Sequence, residues 1–340
     1  MTKRVTIVDV AARAGVAISS VSSALNDRPG VSADTRSRII AAADELGFVP
    51  SIRARSLSSK RAFAVGLVVQ RDPDVLESDP FFASFIGGVE SVLGSRGYAL
   101  VLQMGAGREE TLERYRRLAA DRRVDGVFLS EIEIDDDRIP LLEQIQLPVV
   151  GINAERDGFP FVCVRQDHVA GIERLMRYLV DLGHTRIAHV SGPSRFIHAR
   201  QREAAWREAL VRLQIEPGRV VEGDFTYEGG HRAADELLVG GDLPTAVMCA
   251  NDLTAVGFMA RAIDLGFSVP GDVSVMGYDG IQLGEYVRPT LTTLKTSPRL
   301  IGAEAARLLL DQIDGDPVAD IDIPPVQLIV RDSTGLAARR

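Results

Sequence analysis

The stretch from Val5 to Asn26 reads VTIVDVAARAGVAISSVSSALN, and it predicts two short helices joined by a sharp turn. Apolar residues recur at helical spacing through the stretch, and Gly15 interrupts them. Thr6, with Asp9 three residues later, has the form of a capping box, which marks the start of a helix. The predicted apolar stripe consists of Val5, Val8, Ala12, Val16, Val21 and Leu25. A glycine turn between two such helices is what a helix-turn-helix unit requires.

The second predicted helix, from about Ala17 to Asn26, has one face formed by Ile18 and the short polar side chains of Ser19, Ser22 and Ser23. Short side chains on an exposed face can approach the base edges and phosphates of DNA closely. A helical hairpin inside an ordinary core has the same pattern, so this stretch alone leaves both interpretations open.

The residues that follow favour a DNA-binding head. Ser32 has the position of an N-cap, so a third helix is predicted through IIAAADEL to Gly47. A basic, serine-rich segment, SIRARSLSSKR, begins at Ser51. Residues 1–61 carry ten Lys or Arg and five Asp or Glu, a net charge of +5, whereas the remainder carries 29 and 42, a net charge of −13. A basic head can therefore meet DNA while the acidic body is repelled by it.

This series closely resembles the DNA-binding headpiece of LacI-type transcriptional repressors, in V-T-I-V-D-V-A, A-G-V, V-S, A-L-N, V-S-A-D-T-R, G-F-V-P and A-R-S-L. The resemblance implies that the second helix lies in the major groove, with Ile18 and Ser19 at the main base-reading positions and Ser23 at a third. It also implies phosphate contacts for Ser20, Ser22, Asn26 and Thr35. Thr6 and Ala17 complete the set of head residues that we expect at the DNA.

Two residues depart from the family pattern. Ala17 stands where relatives usually carry Ser or Thr, which removes a phosphate contact and a helix cap worth roughly 1 kcal/mol. Ser23 stands where many relatives carry Arg, an effective reader of guanine. We therefore predict an unusual operator half-site, read in part through contact of Ile18 with a thymine methyl group.

Residues 51–61 form the predicted linker between head and body. By resemblance, the segment from Ser51 to Ser58 is a hinge helix that orders only on DNA, pairs with its dimer mate and inserts Leu57 into the minor groove. In that interpretation Arg53, Ala54 and Arg55 contact phosphates or allow close helix pairing. The alternative is a flexible tether, because ordering each residue costs about 1–2 kcal/mol and needs DNA contacts to offset it.

From Ala62 the pattern changes to strands alternating with helices, in two successive series. At 340 residues the chain is too long for one ordinary core, and this alternation predicts parallel sheets with helices on both faces. The first series has strands near residues 64–70, 98–104, 124–130 and 147–153, and the second begins with FVCVRQD at 161–167. The predicted fold class is α/β, with a small all-α head followed by two lobes, each a parallel sheet flanked by helices.

The body resembles the effector-binding core of the same family, whose fold is shared with periplasmic sugar-binding proteins, in D-P-F-F, V-D-G-V, L-P-V-V, D-H-V-A-G, L-G-H-T-R-I-A, A-N-D-L-T-A-V-G, V-P-G-D-V-S-V-M-G-Y-D, P-T-L-T-T and V-R-D-S-T. The resemblance implies three chain crossings between the lobes. We expect the head over 1–50, the hinge over 51–61 and the body over 62–340. Its first lobe would span about 62–161 and 290–322, and its second about 162–289 and 323–340. No heptad repeat follows Val330, so the tetramerising tail of some relatives is not expected.

By resemblance, the effector site lies between the lobes, where strand ends converge. Arg202 and Asp279 would hydrogen-bond to hydroxyl pairs, while Phe82 and Phe225 would stack on an apolar sugar face. The predicted set is Phe82, Asn153, His198, Arg202, Phe225, Asn251 and Asp279. The alternatives are structural, with Phe82 in the core, Asn251 in a turn and Arg202 on a solvated helix face.

Other classes of site have little support. The five histidines show no metal-binding spacing, and neither a nucleotide-binding glycine loop nor a nucleophile elbow occurs, so we expect no metal, cofactor or catalytic centre. Cys163 and Cys249 lie in apolar runs typical of buried free thiols. His184 is expected to be structural, and the run from Asp135 to Asp137 a solvated loop. With neither a membrane-length apolar run nor a secretory leader, cytoplasmic localisation is expected.

These features predict a homodimeric, ligand-responsive repressor that binds a pseudo-palindromic operator in double-stranded DNA and is released by a sugar or sugar derivative. A corepressor-dependent repressor with a purine-like ligand is the alternative within this class. A solute-binding protein would share the body but has no use for a basic head. A sugar-processing enzyme would need paired carboxylates or a metal. The ligand, the operator and the sign of the response stay open.

Overall fold

The computed structural model describes residues 5–25, 29–48, 59, 61–71 and 80–338. The chain divides into two compact units, Met1–Phe63 and Ala64–Arg340, which we call the head and the body. The predicted DNA-facing residues that lie outside the described residues are Asn26, Arg53, Ala54, Arg55 and Leu57.

Among the described residues of the head there are three helices, α1 (Ile7–Ala14), α2 (Ile18–Leu25) and α3 (Ala33–Glu45). Thr6 caps α1 as predicted, since its backbone N–H and its hydroxyl donate to Asp9 Oδ2 at 2.8 and 2.7 Å. Gly15 ends α1 in the left-handed conformation, with φ 66°, and α2 departs at 103° to α1. The predicted helix-turn-helix is therefore confirmed.

The signals predicted for α3 are also confirmed. Ser32 caps its start by accepting the backbone N–H of Thr35 at 3.3 Å, and Gly47 follows its end with φ 61°. Arg36 Nη1 donates to the carbonyl of Ala24 at 2.7 Å, so α3 holds the last turn of α2. Arg13 of α1 also pairs with Glu45 of α3 at 2.7 Å, so side-chain contacts as well as the apolar core hold the head together.

The predicted apolar stripe of α1 is wrong in register. Val8 is 55% exposed and Ala12 is exposed, whereas Val10 and Ala11 are buried between the helices. The cap at Thr6 is the reason, because it places Val5 before the helix. When helical spacing is counted from Ile7, the buried face of α1 is shifted by one residue from the predicted face.

The part of the body that the structure describes contains twelve strands: β1 Ala64–Val69, β2 Ala99–Met104, β3 Gly126–Leu129, β4 Val149–Ile152, β5 Val162–Gln166, β6 Ile187–Ser191, β7 Val220–Glu222, β8 Ala246–Cys249, β9 Ser274–Asp279, β10 Thr292–Lys295, β11 Ile321–Ile323 and β12 Gln327–Ile329. Its helices among the described residues are α4 Pro80–Arg96, α5 Arg108–Ala120, α6 Arg138–Ile145, α7 Val169–Asp181, α8 Ile197–Arg212, α9 Tyr227–Leu238, α10 Asp252–Asp264, α11 Leu283–Tyr286 and α12 Pro298–Asp314. The strands and helices predicted up to residue 279 are all present.

Two six-stranded sheets organise these elements into lobes. The first sheet has the order β11-β5-β4-β3-β1-β2 and is parallel throughout. The second has the order β12-β10-β9-β8-β6-β7 and is parallel except for its edge strand β12. The chain crosses between the sheets three times, after β5, after β10 and after β11. Parallel order within each sheet places the carboxyl ends of the strands at one edge.

Two predicted lobe boundaries need correction. β5, assigned from sequence to the second lobe, pairs with β4 in the first sheet, with Val162 opposite Val150. β10, assigned to the first lobe, pairs with β9 in the second sheet, with Thr292 opposite Met276. The crossings therefore lie near residues 167 and 296. An apolar run predicts a strand, but its hydrogen-bonding partner is decided by the surrounding fold.

The first lobe is completed by a segment from late in the chain. Helix α12, which the sequence pattern had not assigned, packs on α4 at close range, because a Cβ at Gly88 would overlap the backbone of Arg299 and one at Gly302 that of Phe85. The resulting core buries Phe85, Val89 and Leu93 from α4 against Ile301 and Leu309 from α12.

Candidate functional site

Helix α2 exposes residues predicted to face DNA at its N-terminal end. Ile18 is 49% exposed, and Ala17 and Ser19 are exposed beside it. The Ala17 carbonyl accepts the backbone N–H of Val21 at 3.2 Å, so Ala17 holds the cap position without a hydroxyl to contribute. The half-buried members of the predicted set are Ser20, Ser22 and Ser23. The most accessible part of this face is therefore apolar at Ile18 and polar at Ser19.

Two further residues of the predicted DNA-facing set take part in the helix caps. Thr6 is bonded to Asp9, and the Thr35 hydroxyl accepts a hydrogen bond from Ser32 Oγ at 2.9 Å. Both residues thus stabilise the starts of their helices, and their contact with DNA stays a prediction.

A cavity lies in the body at the carboxyl ends of strands from both lobes. Its space is about 560 Å³ with the solvent at its mouth included. All seven predicted effector residues line it: Phe82, Asn153, His198, Arg202, Phe225, Asn251 and Asp279. Five lining residues were missed: Arg71, Phe81, Ser130, Glu131 and Ile152. The structure thus brings the predicted set together, and its contact with a ligand stays a prediction.

Four lining residues have a strained backbone. Glu131, Asn153, Phe225 and Asp279 have φ values of 49°, 53°, 68° and 109°, in the left-handed region that favours glycine. Each follows or ends a strand that points at the cavity. Such strain costs about 1–3 kcal/mol per residue, persists only where the surroundings enforce it, and is common at binding sites.

Arg202 is held rigidly inside the cavity. Its Nη1 donates to the carbonyl of Ala250 at 2.8 Å, and its guanidinium carbon lies 3.7 Å from the ring centroid of Tyr278. It is half-buried, so the alternative of a solvated helix charge is wrong. A guanidinium fixed by a carbonyl and a ring keeps its other N–H groups oriented towards one place.

Asn251 and Phe82 have structural roles as well as lining the cavity. Asn251 caps α10 by accepting the backbone N–H of Thr254 at 2.9 Å, and its amide donates to the Phe225 carbonyl at 2.8 Å. It therefore holds Phe225 in its left-handed conformation. Phe82 is 2% exposed within the core of the first lobe, and its ring meets the more accessible Phe81 edge-on at 5.7 Å.

Three stacked rings form the second-lobe side of the cavity. The centroid of the His198 ring lies 5.4 Å from those of Phe196 and Phe225, which are 6.3 Å from each other, so the three rings form a triangular cluster. A Cβ at Gly192 would overlap the Phe225 ring, so this position admits the ring only because it is glycine. Burial, and after it the positive charges of Arg202 and Arg71, lower the pKa of His198 well below its usual value. The imidazole is therefore neutral at pH 7.

An ion pair between Arg71 and Glu131 forms the first-lobe side. The two side chains are 10% and 9% exposed, and the guanidinium of Arg71 reaches over the rings of Phe196 and Phe225, 5.2 Å from each centroid. Among the described residues, Arg71 Nε and Ser130 Oγ are buried without a hydrogen-bond partner. Both are polar atoms of the lining that a bound hydroxyl group can satisfy.

The acidic run behind this pair is exposed at Asp135 and Asp137, as predicted, but not at Asp136. Asp136 is buried and binds the buried guanidinium of Arg138 at 2.6 Å from Nη2. Burial opposes ionisation, but the guanidinium and two backbone N–H groups lower the pKa of Asp136. Arg138 also donates to the Glu131 carbonyl at 2.8 Å, so the pair positions Glu131. The sequence signal was present, since Arg138 follows the acidic run directly.

A buried carboxyl anchors the turn that carries Asp279. Asp252 accepts hydrogen bonds from Thr293 Oγ1 at 2.6 Å and from the backbone N–H of Ile281 at 2.7 Å. A Cβ at Gly277 would overlap its Oδ1. Burial raises the pKa of Asp252 to about 7. The position of Asp279 therefore depends on a group that no sequence motif had singled out.

Comparison with known proteins places both units in one family. Residues 6–51 match the family described as bacterial regulatory proteins, lacI family, and residues 176–334 match the periplasmic binding protein-like domain. The HTH-type transcriptional repressor PurR of Vibrio parahaemolyticus serotype O3:K6 (strain RIMD 2210633) is 34% identical over 311 residues, which cover 91% of this chain and 92% of that protein. The chain belongs to the LacI family of bacterial transcriptional regulators.

Two solved structures of LacI-family proteins support this assignment across the fold. The lac repressor dimer bound to operator and the anti-inducer ONPF has a TM-score of 0.83 and 31% identity, covering 98% of this chain and 100% of that one. The complex of the transcriptional regulator CelR with cellobiose has a TM-score of 0.75 and 34% identity, covering 97% and 100%. The predicted family and fold class are therefore confirmed.

His184 and the two cysteines of this LacI-family chain are buried. His184 is buried between Thr245 Oγ1 and the Gly335 carbonyl, at 3.0 Å from each, as predicted. Cys163 and Cys249 are buried free thiols, also as predicted. Within the described ranges, no group of three or more His, Cys, Asp or Glu side chains is arranged to hold a metal ion. In the same ranges no single helix reaches membrane-spanning length and hydropathy, which α1 and α2 attain only together across their bend.

Proposed function

We propose that this protein is a ligand-responsive transcriptional repressor that binds a pseudo-palindromic operator as a homodimer and is released by a small sugar-like effector. The observation that carries the proposal is the cavity, where seven residues carried over from the family pattern meet beside a guanidinium, a carboxylate and stacked rings. In the same chain, the head presents an exposed helix of the helix-turn-helix type. A chain that contains both a ligand-binding body and a DNA-binding head can act as a ligand-responsive regulator.

The chemistry of the lining supports a neutral, hydroxyl-rich effector. Arg71 and Arg202 are balanced by Glu131 and Asp279, and the imidazole of His198 is uncharged. Fixed donors and acceptors beside aromatic rings suit a sugar, which has hydroxyl groups on its edge and an apolar face. The cellobiose complex of CelR is a sugar complex of a related chain. A purine-like corepressor remains the second candidate, because a flat heterocycle also stacks on the Phe225 ring.

The head would read one half-site with Ile18 and Ser19, and Ser23 would contribute from the edge of the face. A two-fold dimer needs two such half-sites. An effector that weakens DNA binding must itself bind less tightly to the DNA-bound protein. Thr6, Ala17, Ser20, Ser22 and Thr35 are the further described positions that we propose at the DNA. The proposal includes no catalytic step, and it places the protein in the cytoplasm with the DNA.

Selection of random duplex DNA by the full-length protein tests the proposal. We expect a palindrome of about 14–20 base pairs at near-physiological salt. If none emerges, the selection is repeated with neutral sugars and with purine bases, since a corepressor would be required for binding. Recovery only with a purine base would favour the second candidate. Absence of any motif under all three conditions would contradict operator binding.

Replacing Ser23 with Ala tests the proposed direct readout within the selected site. We expect a changed preference at one base pair, worth about 1–3 kcal/mol, with the other positions retained. Ser37→Ala is the matched control, because Ser37 is exposed on α3 and bonds only to the carbonyl of Ala33 at 3.0 Å in the described structure. An unchanged preference in Ser23→Ala would remove this residue from the reading face.

A further inference from the structure

The two lobes touch through their backbones at one place besides the crossing segments. The backbone N–H of Ile134 donates to the Arg195 carbonyl at 2.9 Å, and that of Ile197 donates to the Ile132 carbonyl at 3.0 Å. Glu133 and Phe196 thereby form an isolated antiparallel bridge. Among the described residues, these are the backbone hydrogen bonds that join the lobes away from the crossings.

An ion pair reinforces this bridge from the solvent side. Arg195 Nε lies 3.2 Å from Glu133 Oε1, and the guanidinium of Arg195 lies over the Phe196 ring at 4.5 Å. The first-lobe segment is braced from behind, because Asp136 Oδ2 accepts the Glu133 N–H at 3.0 Å. Contacts of this kind give a defined geometry but little stability when exposed, so the bridge can form and break without unfolding either lobe.

At the other end of the site, one side chain holds the crossing segments together. Gln166 lies in the first crossing and is buried, with its Oε1 accepting the backbone N–H of Ser297 in the second crossing at 3.0 Å. Its Nε2 donates to the carbonyl of Pro324 in the third crossing at 2.9 Å. Gln166 and Thr296 line a second, smaller cavity, which shares Phe81, Asn153, His198 and Arg202 with the first. The crossings and the bridge thus lie at opposite ends of this shared row of residues.

We propose that the bridge between Ile132–Ile134 and Arg195–Ile197 is a latch that holds the cavity closed, and that it parts while the crossings bracketed by Gln166, the pivot common to this fold, stay paired. Glu131 at the latch lines the cavity, and so does His198, directly after it. Parting the latch exposes both sides of the site to solvent. The latch therefore sets the rate at which a ligand enters and leaves. That consequence rests on the proposed function, whereas the latch itself is testable without any ligand.

Amide hydrogen exchange of the full-length protein, followed over short peptides by mass spectrometry, is the test. If one opening event breaks both bonds, the amides of Ile134 and Ile197 exchange with the same protection, and faster than those of β1. Glu133→Gln and Arg195→Gln should each accelerate exchange at both amides by about twofold to fivefold, the range that an exposed ion pair supports. The Ser297 amide, at the pivot, should keep its wild-type rate.

Arg207→Gln is the matched control, since Arg207 forms a comparable ion pair with Glu203 at 2.7 Å within α8, away from the cleft. It should leave the exchange of both latch amides unchanged. A further double variant replaces Ile134 and Arg195 with cysteine. Directly opposed residues of such a bridge lie about 5.5 Å apart, within disulfide range. The native cysteines are buried. Oxidation should slow exchange at Ile197 below the wild-type rate, and reduction should return it to the faster rate of Arg195→Gln, since the reduced variant also lacks the ion pair.

Three results would overturn the latch. Ile134 and Ile197 would respond independently to the variants if each segment simply frayed. Ser297 would accelerate with them if the variants destabilised the whole body. Both amides would exchange as slowly as β1 if the bridge never opened apart from unfolding. None of these results would affect recovery of an operator by DNA selection, so failure of the latch and failure of the proposed function are distinguishable.

Discussion

The two sides of the cavity are built on different principles. The first-lobe side consists of two successive ion pairs, Arg71 with Glu131 and, behind it, Arg138 with Asp136. The second-lobe side is held by contacts other than ion pairs: Arg202 on a carbonyl and a ring, Phe225 against Gly192, and a carboxyl at Asp252 that burial pushes towards its neutral form. The first side is sensitive to loss of a charge partner. The second is sensitive to shape and, through Asp252, to pH.

The largest effect is expected at the buried pair of the first lobe. Arg138→Leu leaves Asp136 buried without its guanidinium and should lower the free energy of unfolding by about 3–5 kcal/mol. Chemical denaturation of the body measures it. The double variant Arg138→Leu/Asp136→Leu removes both charges and should be less destabilised than the single one. A double variant as unstable as the single variant would show that the charge pair is not what supports this side.

The next effect is the pH dependence contributed by Asp252. Its pKa is raised from the usual value near 4 to about 7, so the folded state retains a proton that the unfolded state has lost between these values. Its contribution to stability is complete below about pH 4 and is lost as the pH rises to 7, by about 1.4 kcal/mol per pH unit. Asp252→Asn should remove this slope in denaturation measured from pH 4.5 to 7. An identical slope in both proteins would show that a group other than Asp252 binds the proton responsible for it.

A smaller effect is expected from filling the space beside Phe225. Gly192→Ala forces the ring to move and should destabilise the body by about 1–3 kcal/mol, with loss of the ring stack on His198. Gly94→Ala is the control. A Cβ at Gly94, in α4, meets no atom within 4 Å, so this change should be neutral or stabilising by up to about 1 kcal/mol. Equal thermal stability of the two variants would contradict the tight packing of the second-lobe side.

The last prediction is that the protonation state of His198 does not change near neutral pH. Because burial and the nearby guanidinium groups lower the pKa of His198 well below its usual value, its ring should stay neutral from pH 6 to 8. The imidazole resonances of His198, assigned by comparison with His198→Gln, should not shift over this range. A titration within it would make the second-lobe side depend on charge as the first does, and would end the contrast between them.

Local signals explain what was predictable from the sequence. Gly15, Thr6 and Gly47 act within one turn of chain, so the helix ends of the head were predicted correctly. The stripe in α1 was misplaced because its register depends on where the cap lies. The strand β5 was predicted, but its pairing with β4 was not, because the partner of a strand is decided by the whole sheet.

The residues of the cavity likewise divide into those that were predicted from the sequence and those that were missed. Its seven predicted lining residues came from the family resemblance, because the pocket positions of the family could be assigned to matching positions of this sequence. Arg71 and Glu131 were missed because their pairing joins residues sixty positions apart, and no spacing rule connects them. Asp252 was missed for a related reason, since its partners Thr293 and Ile281 lie in later elements.

The packing of α12 on α4 has a consequence during protein synthesis. Roughly 200 residues separate the end of α4 from the start of α12. At ribosomal synthesis rates of about 5–20 residues per second, roughly 10–40 s pass between the synthesis of α4 and that of the helix that covers its apolar face. Throughout that interval Phe85, Val89 and Leu93 lack their final cover. The first lobe, although it begins earlier in the chain, cannot finish folding before most of the second has been made.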